Sequence, residues 1–186
     1  MDKWSKMVVV FFIGGNFVFA WGGGEFKEEF TATDSGYHFR VRFSTSLCAD
    51  TVLAILYDFD HVSHYTFSSE EVTLISFDDS EYRVRIQFSR FFYSFTSLFR
   101  RTLRGDTVFT HMEEFTQRRA LVPDVSFSKG VYTVTRSQEA STVELIQHVR
   151  FSGPVNRIYM RMIQGGVKRF RESMLEYIKE KERRLD

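Results

Sequence analysis

Two histidines in the first half of the chain have the spacing of a metal site. His61 and His64 lie three residues apart, so on a helix they would share one face with a carboxylate from Asp58 or Asp60. Imidazole and carboxylate groups are ligands of zinc and similar ions. Such pairs also occur often by chance, and no paired-cysteine signature accompanies this one. We therefore predict no metal site, and we expect no cofactor.

Acid–base chemistry would need a carboxylate or a histidine inside a cavity. The candidates lie on segments with strand patterns: Glu113, Glu114, Glu144, His111 and His148. Burial would raise the pKa of such a carboxyl group, as a general acid or base at neutral pH requires. Nothing singles out one of them, and the sequence has neither a Gly-x-Ser-x-Gly elbow nor a glycine-rich phosphate loop in a strand–turn–helix context. We therefore assign no catalytic residue.

The single cysteine, Cys48, leaves the fold without an internal disulfide. We expect Cys48 to be a small buried apolar residue rather than a nucleophile. The fold must then depend on packing alone, even in an oxidising compartment.

Composition and charge are those of a soluble globular protein with an excess of one aromatic residue. The chain has 186 residues, which is enough for one domain, and a formal net charge of +1. Because binding to a phosphate backbone needs a clear excess of Lys and Arg, we expect no nucleic-acid partner. The 21 Phe residues, against two Trp, require either a thick core or the apolar wall of a cavity.

The first twenty residues have the three parts of a secretory signal. Lys3 and Lys6 form a basic start, and residues 7–13 form an apolar run that is too short to span a membrane. Val18 and Ala20 are small residues at the positions that precede a cleavage site. We therefore predict a signal peptide over residues 1–20, with a buried first strand or an uncleaved anchor as the alternative.

Cleavage of that signal would leave a mature protein that begins at Trp21. Residues 21–35 contain Gly22, Gly23 and Gly24 and then a charged, Thr-rich stretch, which predicts a flexible lead-in. Residues 36–186 form the predicted domain. The predicted location is the periplasm or the medium outside the cell.

Strand and helix patterns follow one another in a simple order along this domain. Alternation over residues 37–43 predicts a strand, and helical spacing predicts a helix over residues 50–59 and a short second helix ending near Tyr65. Six further strands are predicted, with Gly130 as a bulge in the fifth: residues 70–77, 82–88, 95–104, 107–115, 125–136 and 142–151. A long amphipathic helix then opens at Pro154 and ends in a charged run near residue 183.

This order resembles the START-like (SRPBCC) superfamily, which includes birch-pollen-allergen-like proteins, polyketide cyclases and coenzyme Q-binding proteins. The residues that carry the resemblance are 43–65, where the first strand leads into the helix pair, and 143–178. The pattern covers nearly all of residues 36–183. The resemblance implies an α+β helix-grip fold of order β-α-α-β6-α, in which a curved antiparallel sheet wraps around the long C-terminal helix.

The resemblance also implies a cavity between the sheet and the last helix that holds a lipid or another apolar ligand. Aromatic and Met side chains suit such a wall because they offer area and adapt in shape. The predicted helix stripe that faces the sheet is Val155, Tyr159, Met162, Gly166, Phe170, Met174 and Tyr177. The predicted ligand-binding residues are Phe88, Phe95, Phe99, Met112, Val149, Phe151, Tyr159, Met162, Gly166 and Phe170. The alternative for each of them is an ordinary place in a filled core.

Two further features bear on that cavity. Gly165 and Gly166 weaken the last helix, so they need a reason. Close approach of the sheet is the simpler explanation, and a kink in the helix and room for a ligand are the alternatives. The aromatic run over residues 91–95 could close the cavity mouth or touch a membrane, with nearby arginines on lipid head groups: Arg90, Arg100, Arg101 and Arg104. The alternative is ordinary core with solvated arginines.

We predict non-catalytic binding of a lipid or other hydrophobic small molecule, for transport or sensing, with transient membrane contact. A cyclase- or aromatase-type enzyme using the same cavity is the first alternative. A packed protein-interaction module without a cavity is the second.

Overall fold

The structure is a computed structural model that describes residues 17–21, 24–65, 70–78, 80–90, 93–118, 123–137 and 140–184. Within these residues the elements are β1 (Phe17–Trp21), β2 (Gly24–Thr33), β3 (Gly36–Thr45), α1 (Ala49–Tyr57), α2 (Phe59–Tyr65), β4 (Glu70–Asp78), β5 (Glu81–Arg90), β6 (Tyr93–Arg104), β7 (Thr107–Arg118), β8 (Val125–Arg136), β9 (Ser141–Phe151) and α3 (Arg157–Glu182). The start of the predicted signal, residues 1–16, lies outside the described residues. No helix in the described ranges is long and apolar enough to cross a membrane.

The strands form one antiparallel sheet in the order β1-β2-β3-β9-β8-β7-β6-β5-β4. Strands β4 to β9 are joined as consecutive neighbours, while β3 pairs with β9, so that Val41 lies opposite Leu145. From β3 onward the order is strand, two helices, six strands and a long helix. This confirms the predicted α+β helix-grip architecture.

Residues 24–33 form a strand, and the predicted flexible lead-in is wrong there. Strand β2 pairs with β3 over eight positions, and β1 pairs with β2 at the sheet edge. Three charged residues separate Phe26 from Phe30, and Phe26 is buried against the core. The strand was missed because charged residues surround these two rings in the sequence.

Alternation along β3 defines the two faces of the sheet. Phe39, Val41 and Phe43 are fully buried, whereas Arg40 and Arg42 between them are exposed. The buried side chains point toward the helices, and we call their side of the sheet the interior face. The predicted bulge at Gly130 is wrong, because the register shift in β8 lies between Val125 and Phe127.

The last turn of α1 is buried, so its free carbonyls need partners. The carbonyls of residues 55–57 accept hydrogen bonds, in order, from the side chains of Tyr65, Arg101 and Tyr82. Tyr65 donates at 3.3 Å and Tyr82 at 2.6 Å. A guanidinium group also suits this position because the C-terminus of a helix carries partial negative charge. These contacts fasten α1 to the interior face.

The long helix α3 begins at Arg157 rather than at Pro154. Asn156 caps it, since its side-chain oxygen accepts hydrogen bonds from the backbone N–H groups of Ile158 and Tyr159, both at 3.0 Å. The predicted start is therefore wrong by three residues, because a polar cap lies downstream of the proline.

The buried stripe of α3 is rotated relative to the predicted one. Its buried residues are Met160, Arg171, Met174, Leu175 and Ile178. Met162, which we predicted to face the sheet, is 63% exposed and lies on the solvent side. The difference arises because a buried arginine, Arg171, occupies the centre of the observed stripe. A prediction based on the spacing of apolar residues alone leaves this arginine out.

Arg171 is held by strand β2. Its guanidinium group forms a salt bridge with the Glu28 carboxylate and lies 5.7 Å from the centre of the Phe26 ring. We call this contact the β2–α3 clamp. At the other end of the helix, the Glu182 carboxylate accepts a hydrogen bond of 2.5 Å from the Thr45 hydroxyl. The helix is thus fixed to the sheet by polar contacts near its middle and at its end.

Candidate functional site

The interior face is completely filled at the end where α1 lies. Tyr82 and Val84 on β5 and Val108 on β7 are buried there. They pack beneath α1 and α2 with the rest of the core. This end of the space between sheet and helices is solid core.

The opposite end of the same face carries three stacked phenylalanines. Phe88 and Phe95 lie directly opposite each other on β5 and β6, with ring centroids 5.3 Å apart. Phe115 on β7 continues the stack at 5.6 Å from Phe95. We call these three rings the phenylalanine ladder. All three remain partly exposed although they lie on the interior face.

The ladder lies at the end of the sheet where α3 begins, and this half of the helix is loosely covered. An added Cβ at Gly165 or Gly166 would meet no atom within 4 Å beyond the helix's own backbone. Close approach of the sheet is therefore the wrong explanation for the two glycines. Ile158 and Met162 in the same half are strongly exposed.

The structure brings most of the predicted site residues to the interior side. Six of the predicted residues lie on strands and are buried or partly buried: Phe88, Phe95, Phe99, Met112, Val149 and Phe151. On α3, Phe170 packs against Tyr65 with ring centroids 5.9 Å apart, while Tyr159 and Gly166 are partly exposed. Met162 alone of the ten lies in the exposed class.

Three interior residues were missed by the sequence analysis: Ser97, Arg101 and Phe115. Strand β6 places Phe95, Ser97, Phe99 and Arg101 on one face, so the missed positions alternate with predicted ones. Phe115 was missed because the register of β6 and β7 shifts between Leu98 and Phe99. Interior and exterior positions alternate along β6 through its polar residues as well. Following that alternation would have identified Ser97 and Arg101 as interior residues.

Arg101 is 6% exposed, and the prediction that it is a surface arginine is wrong. Its guanidinium carbon lies 5.9 Å from the ring centre of Tyr82 and 5.5 Å from that of Tyr132. In the described part of the chain, no carboxylate forms a salt bridge with it. The end of α1 and the two rings stabilise the charge instead. The other predicted arginines differ: Arg100 pairs with Glu113, and Arg104 is exposed.

The tyrosines around Arg101 are shielded from water. Burial raises the pKa of Tyr82 to about 12, even though the nearby Arg101 charge lowers it. Burial likewise raises the pKa values of Tyr65 and Tyr132 near Arg101, and that of Tyr37 elsewhere in the core. A buried neutral phenol resists deprotonation because its anion would lose hydration.

We expect alkaline pH to unfold the protein rather than to titrate these tyrosines in place. Their pKa values are higher in the folded state than the value of about 10 in an unfolded chain. The contribution of Tyr82 is therefore complete below pH 10 and is lost as the pH rises through about 12. Tyrosinate absorbance should rise in two steps, and the second step should coincide with loss of circular dichroism. Titration of all tyrosines near pH 10 in a folded protein would contradict the burial described above.

The candidates for acid–base and metal chemistry lie away from the interior. Glu113 pairs with Arg83 at 2.9 Å, and Glu144 pairs with Arg40 at 2.6 Å, all on the outer face. Glu114 is exposed. The rings of His111 and His148 both contact Phe127 on the outer face. The expectation that a carboxylate from Glu113, Glu114 or Glu144 could enter the cavity is therefore wrong.

The histidines of α2 join that helix to α3. His61 Nδ1 lies 2.8 Å from the Tyr177 hydroxyl, and the His64 ring stacks on the Tyr177 ring at 5.5 Å. The described residues contain no group of three or more ligands that could hold a metal ion. Cys48 is exposed at the N-cap of α1, so the expectation of a buried cysteine is wrong. A hydrogen bond with Thr51 lowers the pKa of its thiol.

A separate surface groove lies between α1 and the β6–β7 turn. Its rim carries Asp50, Asp106 and Arg136, and Arg136 bonds the two carboxylates at 2.8 and 3.0 Å. The hydrogen bond with Arg136 also lowers the pKa of Asp106. These charges pair with one another. The groove is also lined by Asp58 and by Tyr57, whose buried hydroxyl has no hydrogen-bond partner among the described residues.

Solved structures of several START-like proteins have this fold. The Zhui aromatase/cyclase from a Streptomyces species is 18% identical, with 80% of this chain and 95% of that chain covered and a TM-score of 0.63. A STAR-related lipid transfer protein from Xanthomonas axonopodis is 15% identical, with 91% and 99% covered and a TM-score of 0.61. A START superfamily protein from Mycobacterium smegmatis is 10% identical, with 80% and 99% covered and a TM-score of 0.58.

These similarities establish the fold of the chain. The START-like helix-grip fold predicted from the sequence is confirmed. No protein-family model and no curated protein sequence matches the chain.

Proposed function

We propose that the protein binds a lipid or another hydrophobic small molecule between the phenylalanine ladder and the first half of α3, without transforming it. The observation that carries this proposal is the contrast along the interior face. That face is solid core beneath α1, yet Phe88, Phe95 and Phe115 at its other end remain partly exposed. An apolar ligand would complete the burial of these rings.

The chemistry of the wall supports an apolar ligand. Stacked phenylalanine rings offer a large surface with no hydrogen-bonding group, and burying apolar surface stabilises a complex by about 25 cal/mol per Å². The START-like fold supports the same proposal, since a lipid transfer protein is among the solved structures that share it. The carboxylates and histidines considered for acid–base chemistry lie on the outer face, away from the proposed ligand. Binding is therefore favoured over a cyclase-type reaction.

Binding of the neutral dye N-phenyl-1-naphthylamine tests the proposal on the full chain. We expect Phe95→Arg to weaken binding by at least about tenfold, because the dye would have to desolvate a charge in the middle of the ladder. Phe109→Arg is the matched control, since Phe109 lies on the outer face of the neighbouring strand β7. It should leave the dissociation constant unchanged. Circular dichroism must show that both variants are folded.

Absence of dye binding by the unmodified protein, or equal weakening by the two variants, would overturn the proposal. Solvent extraction of the purified protein followed by mass spectrometry gives a second measurement, the amount of bound apolar molecule. We expect about one apolar molecule per protein, and the extract of Phe95→Arg should be empty.

We also propose that the protein acts outside the cytoplasm after removal of residues 1–20. The support is the basic start, the apolar run and the small residues Val18 and Ala20. Among the described residues, strand β1 pairs only with β2, so loss of its first four residues would leave the pairing of β2 with β3 intact. The protein used for extraction should therefore be recovered from outside the cytoplasm with Trp21 at its N-terminus. Recovery of the intact chain from the cytoplasm would contradict this part of the proposal.

A further inference from the structure

The outer face of the sheet carries a row of basic and imidazole side chains that lies apart from the proposed ligand site. Each member is directly opposite the next one on the neighbouring strand, so the row crosses six strands in the order β3-β9-β8-β7-β6-β5. Its members are His38, His148, Lys129, His111, Arg100 and Arg83. We call them the basic row. Neighbouring strands lie about 4.8 Å apart, so the row is about 24 Å long.

The positive charge of the basic row is only partly compensated. Glu113 pairs with Arg83 at 2.9 Å and with Arg100 at 3.4 Å, so one carboxylate faces two guanidinium groups. Among the residues that the structure describes, no carboxylate forms a salt bridge with Lys129, which is exposed in the middle of the row. The imidazole rings add N–H groups that can donate hydrogen bonds to an anion. The row is therefore a continuous surface for anionic groups.

An aromatic ring and a further cation extend the centre of the row. The Phe127 ring on β8 contacts the rings of His111 and His148, with centroids 6.0 and 5.8 Å apart. The guanidinium group of Arg150 lies 5.6 Å from the centre of the same ring and, within the described ranges, forms no salt bridge. Lys129 and Arg150 are diagonal neighbours on adjacent strands. Two cations without a carboxylate partner thus lie side by side.

Apolar side chains border the row on its other side. Two residues along each strand from the row, Ile146, Val131 and Phe109 lie opposite one another on β9, β8 and β7. All three are partly exposed. We call them the apolar line, and it runs about 7 Å from the basic row because each residue of a strand adds about 3.4 Å. A partner that fits this face needs acidic groups beside apolar ones.

We infer that the outer face binds an acidic peptide segment of a partner protein, which crosses the strands with its carboxylates on the basic row and its apolar side chains on the apolar line. Alternate side chains of an extended chain point to opposite sides, which matches two lines on either side of its backbone. A flexible chain can follow the convex face of the curved sheet, whereas a flat bilayer would contact few members of the row. The site is separate from the proposed ligand site, so neither proposal depends on the other.

Fluorescence anisotropy of a fluorescein-labelled peptide tests this inference on the full chain. The peptide alternates Glu and Leu over about eight residues, which is enough to span the row. We expect the unmodified protein to bind it. Lys129→Glu and Arg150→Glu should each weaken binding about fivefold or more, because an attraction becomes a repulsion. Added salt should also weaken binding, since the charges are exposed.

Arg161→Glu is the matched control, because it makes the same change of charge at an exposed position of α3, on the other side of the sheet. It should leave the dissociation constant of the peptide nearly unchanged. A peptide with Lys in place of Glu should not bind. Lys129→Glu should bind N-phenyl-1-naphthylamine as the unmodified protein does, and circular dichroism must show that each variant is folded.

Absence of peptide binding, or equal weakening by Lys129→Glu and Arg161→Glu, would overturn the inference. Vesicles that contain phosphatidylserine give a further comparison. If the protein bound them through Lys129 but did not bind the peptide, the partner would be an anionic membrane and the inference would be wrong. The dye experiment, by contrast, tests only the proposed function, so the two proposals can fail separately.

Discussion

Replacing Glu28 with alanine is expected to lower the free energy of unfolding by about 2 kcal/mol, because Arg171 would remain buried without its carboxylate partner. Breaking a fully buried ion pair costs more, but the Glu28 side chain is one quarter exposed and water shields part of the effect. Arg171 also contacts Glu172 at 3.0 Å, which is itself exposed and compensates poorly. Urea unfolding followed by circular dichroism measures the change.

Glu29→Ala is the matched control for the β2–α3 clamp. Glu29 is the next residue of the same strand, but it is exposed on the outer face. It should change stability by less than about 0.5 kcal/mol. The double variant Glu28→Ala with Arg171→Met should recover most of the loss, because no unpaired charge remains. Similar losses in the two single variants would show that the clamp does not stabilise the fold.

Gly36→Ala is expected to destabilise the protein by about 2–3 kcal/mol through overpacking. A Cβ at this position would lie 2.2 Å from the backbone carbonyl oxygen of Val149 and 3.2 Å from the Cα of Arg150. Because both contacts are with the backbone of β9, the clash can be relieved only by moving β3 away from β9. Thermal or urea unfolding measures the loss.

Gly165→Ala is the control for that substitution. Its Cβ would meet no atom within 4 Å beyond the helix's own backbone, so only the helix propensity changes. The variant should be more stable by up to about 1 kcal/mol. If Gly36→Ala proved neutral, the close approach of the two strands at this point would be wrong.

Elements with a regular pattern and few charges could be predicted from the sequence. Strand β3 alternates strictly between buried and exposed residues, and β4 to β9 are marked by turns between alternating segments. Strand β2 could not be predicted in this way. Glu28 occupies an interior position of this strand. Its carboxylate can be partly buried there only because Arg171 on α3 forms a salt bridge with it. That partner lies far away in the sequence.

The candidate site was predicted in its apolar part and missed in its polar part. Phe88, Phe95 and Phe170 were identifiable because large apolar residues at regular spacing must face a core or a cavity. Ser97 and Arg101 occupy the same face, but polar residue types indicate solvent unless the strand register is known. The orientation of α3 was wrong for a related reason, since burial of Arg171 depends on the clamp.

The pairing of β3 with β9 determines when this fold can be completed. Arg40 and Glu144, which bridge the two strands, are 104 residues apart, and Thr45 and Glu182 are 137 residues apart. Contacts between such distant segments form late and make folding slow. During synthesis, the central part of the sheet cannot close until β9 has left the ribosome. A signal at the N-terminus would therefore act on a chain that is still unfolded, the state in which a polypeptide can be threaded through a membrane channel.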